Sequence, residues 1–444
     1  MASISRRSFF TGAAAGVVGG GIGGWFANRR TAEAPAPPVA LEPPAAPVVV
    51  EQPPADVLVQ AVQAQAPITR ASVGKFGLPG PFRGRVVEVN HPGVVDVDDS
   101  GEKPVYTRHQ DMVRDMIDRG MRELVGSDEA VDAWKFFFSA GDRVGIKVVP
   151  NGYPLAMSST EIVLEVIAGL ESAGVRPRDM LVFDRYHQEF TRCDYVERLP
   201  DGVRWDSSTG PRSSQIAIDG QPVSGDGKVS NVSGYDPDVW RELPYADTAY
   251  PADDDRIFRS HLSNIVSKSV DKIVCIPVVK DHRSAGVTIA LKNMSHGFVN
   301  NVNRSHLGPS NTCGSFIPAM VSLPAIREKS VLQIVDGLVG VYEGGPGPWN
   351  RSFATWARRS LFFATDPVAL DRIAWEIIDA RRAEVGWPAV GRMGIDGVGS
   401  GEVNGVAVRE QFHIRQPQYI QLAATLGLGE FDREKIDYQT FKLA

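Results

Sequence analysis

The segment VVKDHRSAGVTIALKNMSHGFVN, from Val278 to Asn300, carries two lysines, two histidines and two asparagines around an apolar run. Lysine ammonium groups can hold a carboxylate or a phosphate, and an asparagine amide can orient the bound group. Histidine can accept or donate a proton near neutral pH. The candidate catalytic residues are His282, His296 and Lys292, and the candidate ligand-binding residues in this segment are Lys280 and Asn293.

Lys292 lies in the apolar stretch GVTIALKN, where a charge is unfavourable unless it has a partner. One interpretation is a buried ion pair with Asp336 or Asp366, in which case the crevice would hold no ligand. The other interpretation is an anion-binding group, or a base whose pKa is depressed by its surroundings. Both stay open at the level of sequence.

Polar side chains also follow other predicted strands. Lys147 lies within the strand of IKVVPN and Asn151 follows its end, while Asp184 ends MLVFD and Asp336 ends VLQIVD. In open α/β sheets, ligands bind outside the carboxyl ends of the strands. We therefore expect these groups to meet the segment 278–300 in one crevice, and we add Lys147 and Asn151 to the candidate ligand-binding residues.

A divalent metal in the same crevice would strengthen such chemistry without being required. The carboxylates considered as its ligands are those of Asp336 and Glu343, with a histidine as a further ligand. The histidines show no compact spacing such as HxxxH, so the metal is a hypothesis and any other cofactor is unknown.

Three cysteines, Cys193, Cys275 and Cys313, stand at wide spacings. They form neither a CxxC pair nor an iron–sulfur run, so no iron–sulfur cluster is expected. An odd number leaves at least one thiol free even in an oxidising compartment. Cys313 stands at a predicted helix start, where the helix N-terminus would lower the pKa of its thiol.

The elements that must position these residues have the pattern of an α/β fold. An apolar strand at 144–149, a helix from Ser158 or Ser159 to Ser172, and a strand from Met180 to Asp184 form a βαβ unit with parallel strands. Further strands in VDKIVCIPVVK and KSVLQIVDGL, and a strand and helix in SLFFATDPVALDRIAWEII, extend the pattern. We predict a mostly parallel sheet with flanking helices, and a β-rich insertion at about 200–255.

The N-terminus has the pattern of a twin-arginine (Tat) export signal. In SRRSFFTGAAAGVVGGGIGGWF, Arg6 and Arg7 precede two phenylalanines and a weakly apolar stretch. We assign residues 1–30 to this signal, 31–81 to a Pro/Ala-rich linker and 82–444 to the α/β domain. The Tat translocase is then a partner during export. The protein would be periplasmic, or tethered to the membrane by its N-terminal segment and facing the periplasm.

Composition narrows the class of ligand. With 444 residues and 43% hydrophobic content, the chain can bury a large core. The net charge of -6, without long runs of one sign, argues against a nucleic-acid surface. A small molecule is the more natural partner, and the lysines favour an anionic one.

Taken in order, GIKVVPN, IPVVKDHRSAGVTIALKN with SHG, IVDGLVGVYEGGPGP and FFATDPVALDRIAWEII resemble the uncharacterised family known as domain of unknown function 362. The resemblance covers residues 82 to about 390. Many members look like this core joined to a ferredoxin-type module that contains four cysteines. This sequence does not contain the cysteines of such a module. The resemblance implies a shared α/β core and pocket, and no reaction. The pocket residues that it implies are Lys147, Asn151, Lys280, Lys292, Asn293, Asp336, Glu343, Asp366 and Asp371.

Two functions from different classes stay open. The first is an exported enzyme that acts on an anionic small molecule, with lysines holding the anion and a histidine as acid or base. The second is a non-catalytic periplasmic protein that binds such an anion through the same lysines.

Overall fold

A computed structural model describes most of the chain that follows the predicted linker. The residues described are 74–209, 217–218, 221–222, 234–245, 255–306, 311–393, 401–403, 406–408 and 414–444. The predicted Tat signal at 1–30 and most of the predicted linker at 31–81 lie outside the described residues.

Within this part of the chain, ten strands form one large sheet and the other strands form two-stranded pieces. The strands are β1 (Arg85–Asn90), β2 (Val95–Asp98), β3 (Val105–Arg108), β4 (Val144–Lys147), β5 (Met180–Asp184), β6 (Arg204–Ser207), β7 (Ala217–Ile218), β8 (Gln221–Pro222), β9 (Tyr235–Glu242), β10 (Arg259–Ser263), β11 (Lys272–Cys275), β12 (Val278–His282), β13 (Gly286–Val287), β14 (Ser330–Glu343), β15 (Ala354–Ala364), β16 (Gly401–Val403), β17 (Val406–Val408) and β18 (Asp437–Lys442).

The helices lie between these strands. They are α1 (Gln110–Val125), α2 (Ala130–Phe137), α3 (Thr160–Ser172), α4 (His187–Arg192), α5 (Tyr195–Arg198), α6 (Ala290–His296), α7 (Cys313–Val321), α8 (Pro324–Lys329), α9 (Pro367–Glu384) and α10 (Tyr419–Thr425). In the described ranges, no helix combines the length and the apolar character needed to cross a bilayer.

The large sheet has the order β18-β1-β15-β14-β11-β4-β5-β6, with β12 paired to β14 and β13 to β12. Strands β6, β5, β4, β11 and β14 are parallel to one another along this order, as are β12 with β14 and β1 with β18. Strand β15 runs antiparallel to both of its neighbours, and β13 runs antiparallel to β12. Helix α3 makes the predicted crossover between β4 and β5. The predicted α/β fold, with a mostly parallel sheet and flanking helices, is confirmed.

Alternate side chains of the central strands enter two separate apolar cores. Ile273 and Cys275 of β11 join one core, whereas Val274 and the following Ile276 join the other, as the two-residue period of a strand requires. Helices α1, α2 and α3 contribute to the second core, and α6, α7, α9 and α10 contribute to the first. The sheet is therefore covered on both faces, which leaves the ends of its strands for a binding site.

The chain breaks its pairing between β11 and β12 at Pro277. Proline has no N–H to donate to a sheet ladder, so two strands form in succession instead of one. The long strand β14 spans the break by pairing first with β11 and then with β12. Because Cys275 lies opposite Lys147, the last residue of β4, strand β12 carries its side chains past the carboxyl end of β4.

The segment predicted as a β-rich insertion, 200–255, has two parts. Its first strand, β6, is the edge of the large sheet and lies parallel to β5. The described remainder contains the pair β7 and β8, and also β9, which pairs antiparallel with β10. Any insertion in the sheet topology therefore begins after β6, later than the predicted boundary.

Candidate functional site

A cavity of about 740 Å³ opens at the carboxyl ends of β4, β5 and β12. This is where the strand-end rule expects a ligand in an open α/β sheet. The acidic, basic and histidine residues in its lining are Lys147, Asp184, Arg185, His187, Glu189, Arg192, His282, Arg283, Lys292, His296 and His306. Lysines and arginines outnumber carboxylates in this lining, so the cavity favours negative charge.

Lys292 lies in the cavity wall and has no counter-ion among the residues that the structure describes. The residue is only 6% exposed and belongs to helix α6. No residue in the described ranges gives its Nζ a hydrogen bond or an ion pair. Burial lowers the pKa of Lys292 to about 8, and the charge of Arg185 contributes to the fall. An ammonium group in this position lacks the partner that a buried charge requires.

The carboxylates considered as partners of Lys292 are engaged elsewhere. Asp336 accepts hydrogen bonds from the backbone N and Oγ of Ser159, at 2.7 and 2.5 Å, and from Leu338 N at 2.9 Å. Asp366 is the N-cap of α9, and all of its hydrogen bonds in the described part of the chain come from backbone N–H groups. The ion pair proposed for Lys292 from the sequence is therefore not formed with either residue.

Helix α6, which carries Lys292, is fixed at its start by Asp371. Its carboxylate accepts the backbone N–H groups of Ala290 and Leu291 at 2.8 and 3.1 Å. Tyr419 donates its hydroxyl to the same carboxylate at 3.2 Å. Asp371 thus positions the helix and does not line the cavity itself.

Lys147 and Asn293, both predicted to bind a ligand, bind each other. Lys147 Nζ donates to Asp184 Oδ1 at 2.6 Å, to Asn293 Oδ1 at 2.8 Å and to Val148 O at 2.7 Å. These contacts use all three ammonium protons, so Lys147 joins the end of β5 to α6. Asn293 lines the cavity, and within the described ranges its Nδ2 has no acceptor.

Lys280 and Asn151 form a second pair of predicted residues. Lys280 Nζ donates to Asn151 Oδ1 at 2.6 Å. Burial lowers the pKa of Lys280 to about 7, with Glu189 opposing the fall and Lys292 adding to it. Burial also raises the pKa of Glu189 to about 7. Both groups therefore change protonation state near neutral pH, and the charge of each affects the pKa of the other.

His282 has a defined tautomer. Its Nδ1 accepts the backbone N–H groups of Ser284 and Ala285 at 3.0 and 3.1 Å. Burial and the charge of Lys292 lower the pKa of His282 well below its ordinary value, so the imidazole is neutral and its proton lies on Nε2. This arrangement suits His282 to donate a hydrogen bond to a bound oxygen. It does not suit the role of base that the sequence left open.

His296, His306 and Cys313 form a cluster whose potential ligand atoms lie within 4.8 Å of one another. The Oγ of Ser305 lies among them, at 3.0 Å from His296 Nε2, 3.2 Å from His306 Nδ1 and 3.8 Å from Cys313 Sγ. His296 Nδ1 is bonded to Ser295 Oγ at 2.9 Å. A metal at this cluster would have to displace the Ser305 hydroxyl. Both ring nitrogens of His296 are occupied, so His296 could act as a base only after losing one of these bonds.

The pKa of the Cys313 thiol differs from the one predicted from the sequence. Cys313 does begin helix α7, but burial raises the pKa of its thiol to about 11. The predicted lowering by the helix N-terminus is therefore wrong, because desolvation of the thiolate outweighs the helix dipole. All three cysteines are buried and free.

The predicted metal ligands Asp336 and Glu343 lie far apart on β14. At ~3.3 Å per strand residue their separation along the strand is roughly 20 Å, far beyond the span of one coordination sphere. Neither residue belongs to the described lining of the cavity. The two carboxylates cannot share one ion, and this corrects the predicted metal site.

Glu343 instead belongs to a buried ionic network with Asp281. Arg415 donates to Asp281 Oδ2 at 2.8 Å and to Glu343 Oε2 at 2.9 Å, and Arg382 donates to Glu343 Oε2 at 2.7 Å. Asp281 Oδ1 also accepts the backbone N–H of Gly345 at 2.8 Å. The network therefore fixes the glycine-rich turn after β14 against β12.

This turn forms one wall of the cavity. A Cβ on Gly345 would lie 2.0 Å from the backbone oxygen of Asp281, so only glycine allows the turn to approach β12 this closely. Trp349, in the same turn, lines the cavity and is 58% exposed. It offers a partly exposed aromatic surface to a ligand in the cavity.

Sequence reasoning missed Glu189, Arg382 and Arg415. Glu189 follows the end of β5 closely, and the strand-end rule could have included it. Arg382 lies in the last turn of α9, where an arginine is ordinarily a solvated residue near the helix C-terminus. Arg415 lies 72 residues after Glu343 and carries no local signal of its pairing.

Comparisons with known proteins give a family match over part of the chain. Residues 240–376 match the family model described as Domain of unknown function (DUF362). This range includes β12, α6 and β14, and hence Lys280, His282 and Lys292. No curated protein matches the sequence.

One similar solved structure is the crystal structure of a protein from Thermotoga maritima. It is 10% identical, with a TM-score of 0.28, and the match covers 53% of this chain and 51% of that chain. The chain thus spans about half the length of that protein.

Proposed function

We propose that the protein binds a small anionic molecule in the cavity, with Lys292 as the charge that anchors it. The observation that carries this proposal is the buried Nζ of Lys292, which has no hydrogen-bond or ion-pair partner in the described ranges. A carboxylate or phosphate placed there would supply the missing counter-ion. The neighbouring charges of Arg185 and Lys280 favour the same kind of ligand.

A catalytic role is favoured over simple binding by the perturbed groups around the anchor. Lys280 and Glu189 both have a pKa of about 7, which allows proton transfer at neutral pH. The neutral His282 can donate its Nε2–H to an oxygen on which charge develops. A passive anion-binding protein needs neither feature, although it remains the alternative to be tested.

The binding proposal is tested by thermal unfolding in chloride buffer with added inorganic phosphate or pyruvate. A ligand that binds only the folded state stabilises it, by about 2.7 kcal/mol when present at a hundredfold excess over its Kd. We expect the wild type to respond and Lys292→Met not to respond. Lys435→Met is the matched control, because that side chain is 69% exposed. Equal responses of the wild type and Lys292→Met would reject Lys292 as the anchor.

The catalytic part is tested by His282→Asn, assayed by NMR for turnover of a panel of small carboxylates and phosphate esters. The Asn Oδ1 can still accept the backbone N–H groups that His282 Nδ1 accepts, whereas the Nε2–H donor is lost. We expect affinity to be kept and turnover to be lost. A variant that loses affinity alone would favour the non-catalytic alternative.

We also propose export by the Tat route, which the Arg6–Arg7 pair of the N-terminal segment supports. The test is cell fractionation of the full chain with both arginines replaced by lysine. The wild type should reach the periplasm or its face of the membrane, and the variant should stay in the cytoplasm. Equal distribution of the two chains would reject the proposal.

A further inference from the structure

We propose that Lys292 is an amine nucleophile that forms an imine with a small 2-oxo acid in the cavity. This inference rests on the anion-binding function proposed above and names the class of ligand and the bond that it forms. Its starting point is geometric: an amine that is 6% exposed lies in the wall of a cavity of about 740 Å³. No partner in the described ranges holds that amine in its charged form.

An amine attacks a carbonyl only in its neutral form, and the surroundings of Lys292 favour that form. Burial removes the water that would solvate the ammonium, and the nearby Arg185 repels it. With a pKa of about 8, Lys292 has roughly two hundredfold more neutral amine at about pH 7.5 than a lysine of ordinary pKa. Lys147 offers a contrast within the same cavity, because Asp184 holds its ammonium at 2.6 Å.

The carboxylate of a 2-oxo acid has a fixed cation close to this amine. Arg185 lines the cavity, and its Nη1 donates to the backbone oxygen of His296 at 3.2 Å. His296 lies one helical turn after Lys292 on α6, so the guanidinium rests against the helix that carries the amine. A guanidinium binds carboxylates well because of its planar array of donors.

The carbonyl oxygen also has a donor available. His282 lines the same cavity and carries its proton on Nε2, because its Nδ1 accepts two backbone N–H groups. A 2-oxo acid has its carbonyl next to its carboxylate, which matches a site with an amine, a fixed cation and a neutral donor. A simple phosphate or carboxylate would leave the nucleophile unused.

The step is a condensation that balances without an oxidant or a reductant. The Nζ lone pair forms the new C–N bond, and the carbonyl π pair moves to oxygen. That oxygen leaves as water with the two protons of the amine, and a C=N bond remains. Glu189, whose pKa burial raises to about 7, can give a proton to the leaving oxygen and take one from nitrogen.

The experiment is reductive trapping on the full-length protein, with pyruvate as the probe and sodium borohydride as the reductant. Intact mass and peptide mapping then locate the adduct, which adds the mass of pyruvic acid less one oxygen. We expect one adduct per chain, on Lys292, forming on the order of a hundredfold faster than on exposed lysines such as Lys435. The matched variant Lys292→Arg keeps the charge but cannot form the imine, and it should show no such adduct.

Parallel thermal unfolding with pyruvate and with phosphate separates the two proposals. If pyruvate stabilises the protein but no adduct forms on Lys292, the imine is rejected and anion binding stands. If adducts spread over exposed lysines at similar rates, the imine is likewise rejected. If neither probe stabilises the protein and no adduct forms, both proposals fail.

Discussion

Replacing Lys292 with methionine should stabilise the folded protein at neutral pH in the absence of an anion. Burial lowers the pKa of this lysine from 10.5 to about 8, so the folded state binds its proton less tightly than the unfolded state does. One unit of pKa difference corresponds to ~1.4 kcal/mol. The lowered pKa of Lys292 therefore destabilises the folded state by about 3 kcal/mol at a pH where the amine is protonated in both states. Methionine has a similar length and no charge, so the variant should recover most of that free energy.

The sign of the pH dependence follows from the same values. Between pH 8 and 10.5, the unfolded chain binds more protons at this position than the folded chain, so the wild type gains stability as pH rises. The advantage of Lys292→Met should therefore be complete below pH 8 and shrink above it. At about pH 10 it should be less than about 1 kcal/mol.

The assay is urea unfolding of both full-length chains at several pH values in chloride buffer. Lys147→Met is the matched control, since it removes a lysine of similar burial that has a partner. It leaves the Asp184 carboxylate buried and unpaired, and should cost about 3–5 kcal/mol. If Lys292→Met is destabilised at neutral pH to the same extent as Lys147→Met, the amine has a partner and the reasoning is refuted. Added phosphate should narrow the gap between the wild type and Lys292→Met.

Three further predictions concern the scaffold. Asp366→Asn should lower the free energy of unfolding by about 2–4 kcal/mol, because an amide nitrogen accepts no hydrogen bond. The Asp366 carboxylate accepts four backbone N–H groups, all at 2.9 Å, from Gly84, Val368, Ala369 and Glu430. A loss in urea unfolding no larger than that of the exposed Asp432→Asn would contradict this prediction. Arg415→Met should lower the free energy of unfolding by about 3–5 kcal/mol at pH 7 and by less at pH 5. Burial already raises the pKa of Asp281 to about 6, so this carboxyl can take up a proton at pH 5 once Arg415 is gone. An equal loss at both pH values would argue against the ionic network of Arg415, Asp281 and Glu343. Ellman's reagent should leave Cys193, Cys275 and Cys313 unmodified until the protein unfolds, since all three are buried. A fast reaction of any of these thiols in the folded protein would contradict this prediction.

The fold could be predicted where a local pattern determines the structure. The strand from Met180 to Asp184 is buried along its whole length, and its first four residues form an uninterrupted apolar run in the sequence. Asp366 followed by Pro367 marked the start of α9 for a local reason, since that carboxylate caps the first turn. Lys147, Asn151 and Asp184 do line one cavity, because the parallel strands bring their carboxyl ends to one edge, whereas Lys280 and Asp336 are not part of its described lining.

The pairing of charges within that edge could not be predicted. Lys147 and Lys292 look alike in sequence, as lysines next to apolar residues. Lys147 is paired with Asp184, which lies 37 residues away. The carboxylates considered for Lys292, those of Asp336 and Asp366, accept hydrogen bonds from backbone N–H groups instead. Which carboxylate pairs with which lysine depends on the side chains that the folded sheet brings within hydrogen-bond distance. The spacing of these residues in the sequence does not indicate the pairing.

The position of β1 has a consequence for how the chain folds. This strand, near the start of the domain, lies between β15 and β18, and the register that joins Arg85 to Asp437 makes the last strand its parallel neighbour. Contacts between such distant parts of a chain form slowly, because a very long loop must close first. During synthesis, β1 would leave the ribosome long before its partners exist, with the backbone N–H and C=O groups of both edges unpaired. The sheet can be completed only after translation of β18, so any chaperone that shields the nascent chain should act on the region around β1.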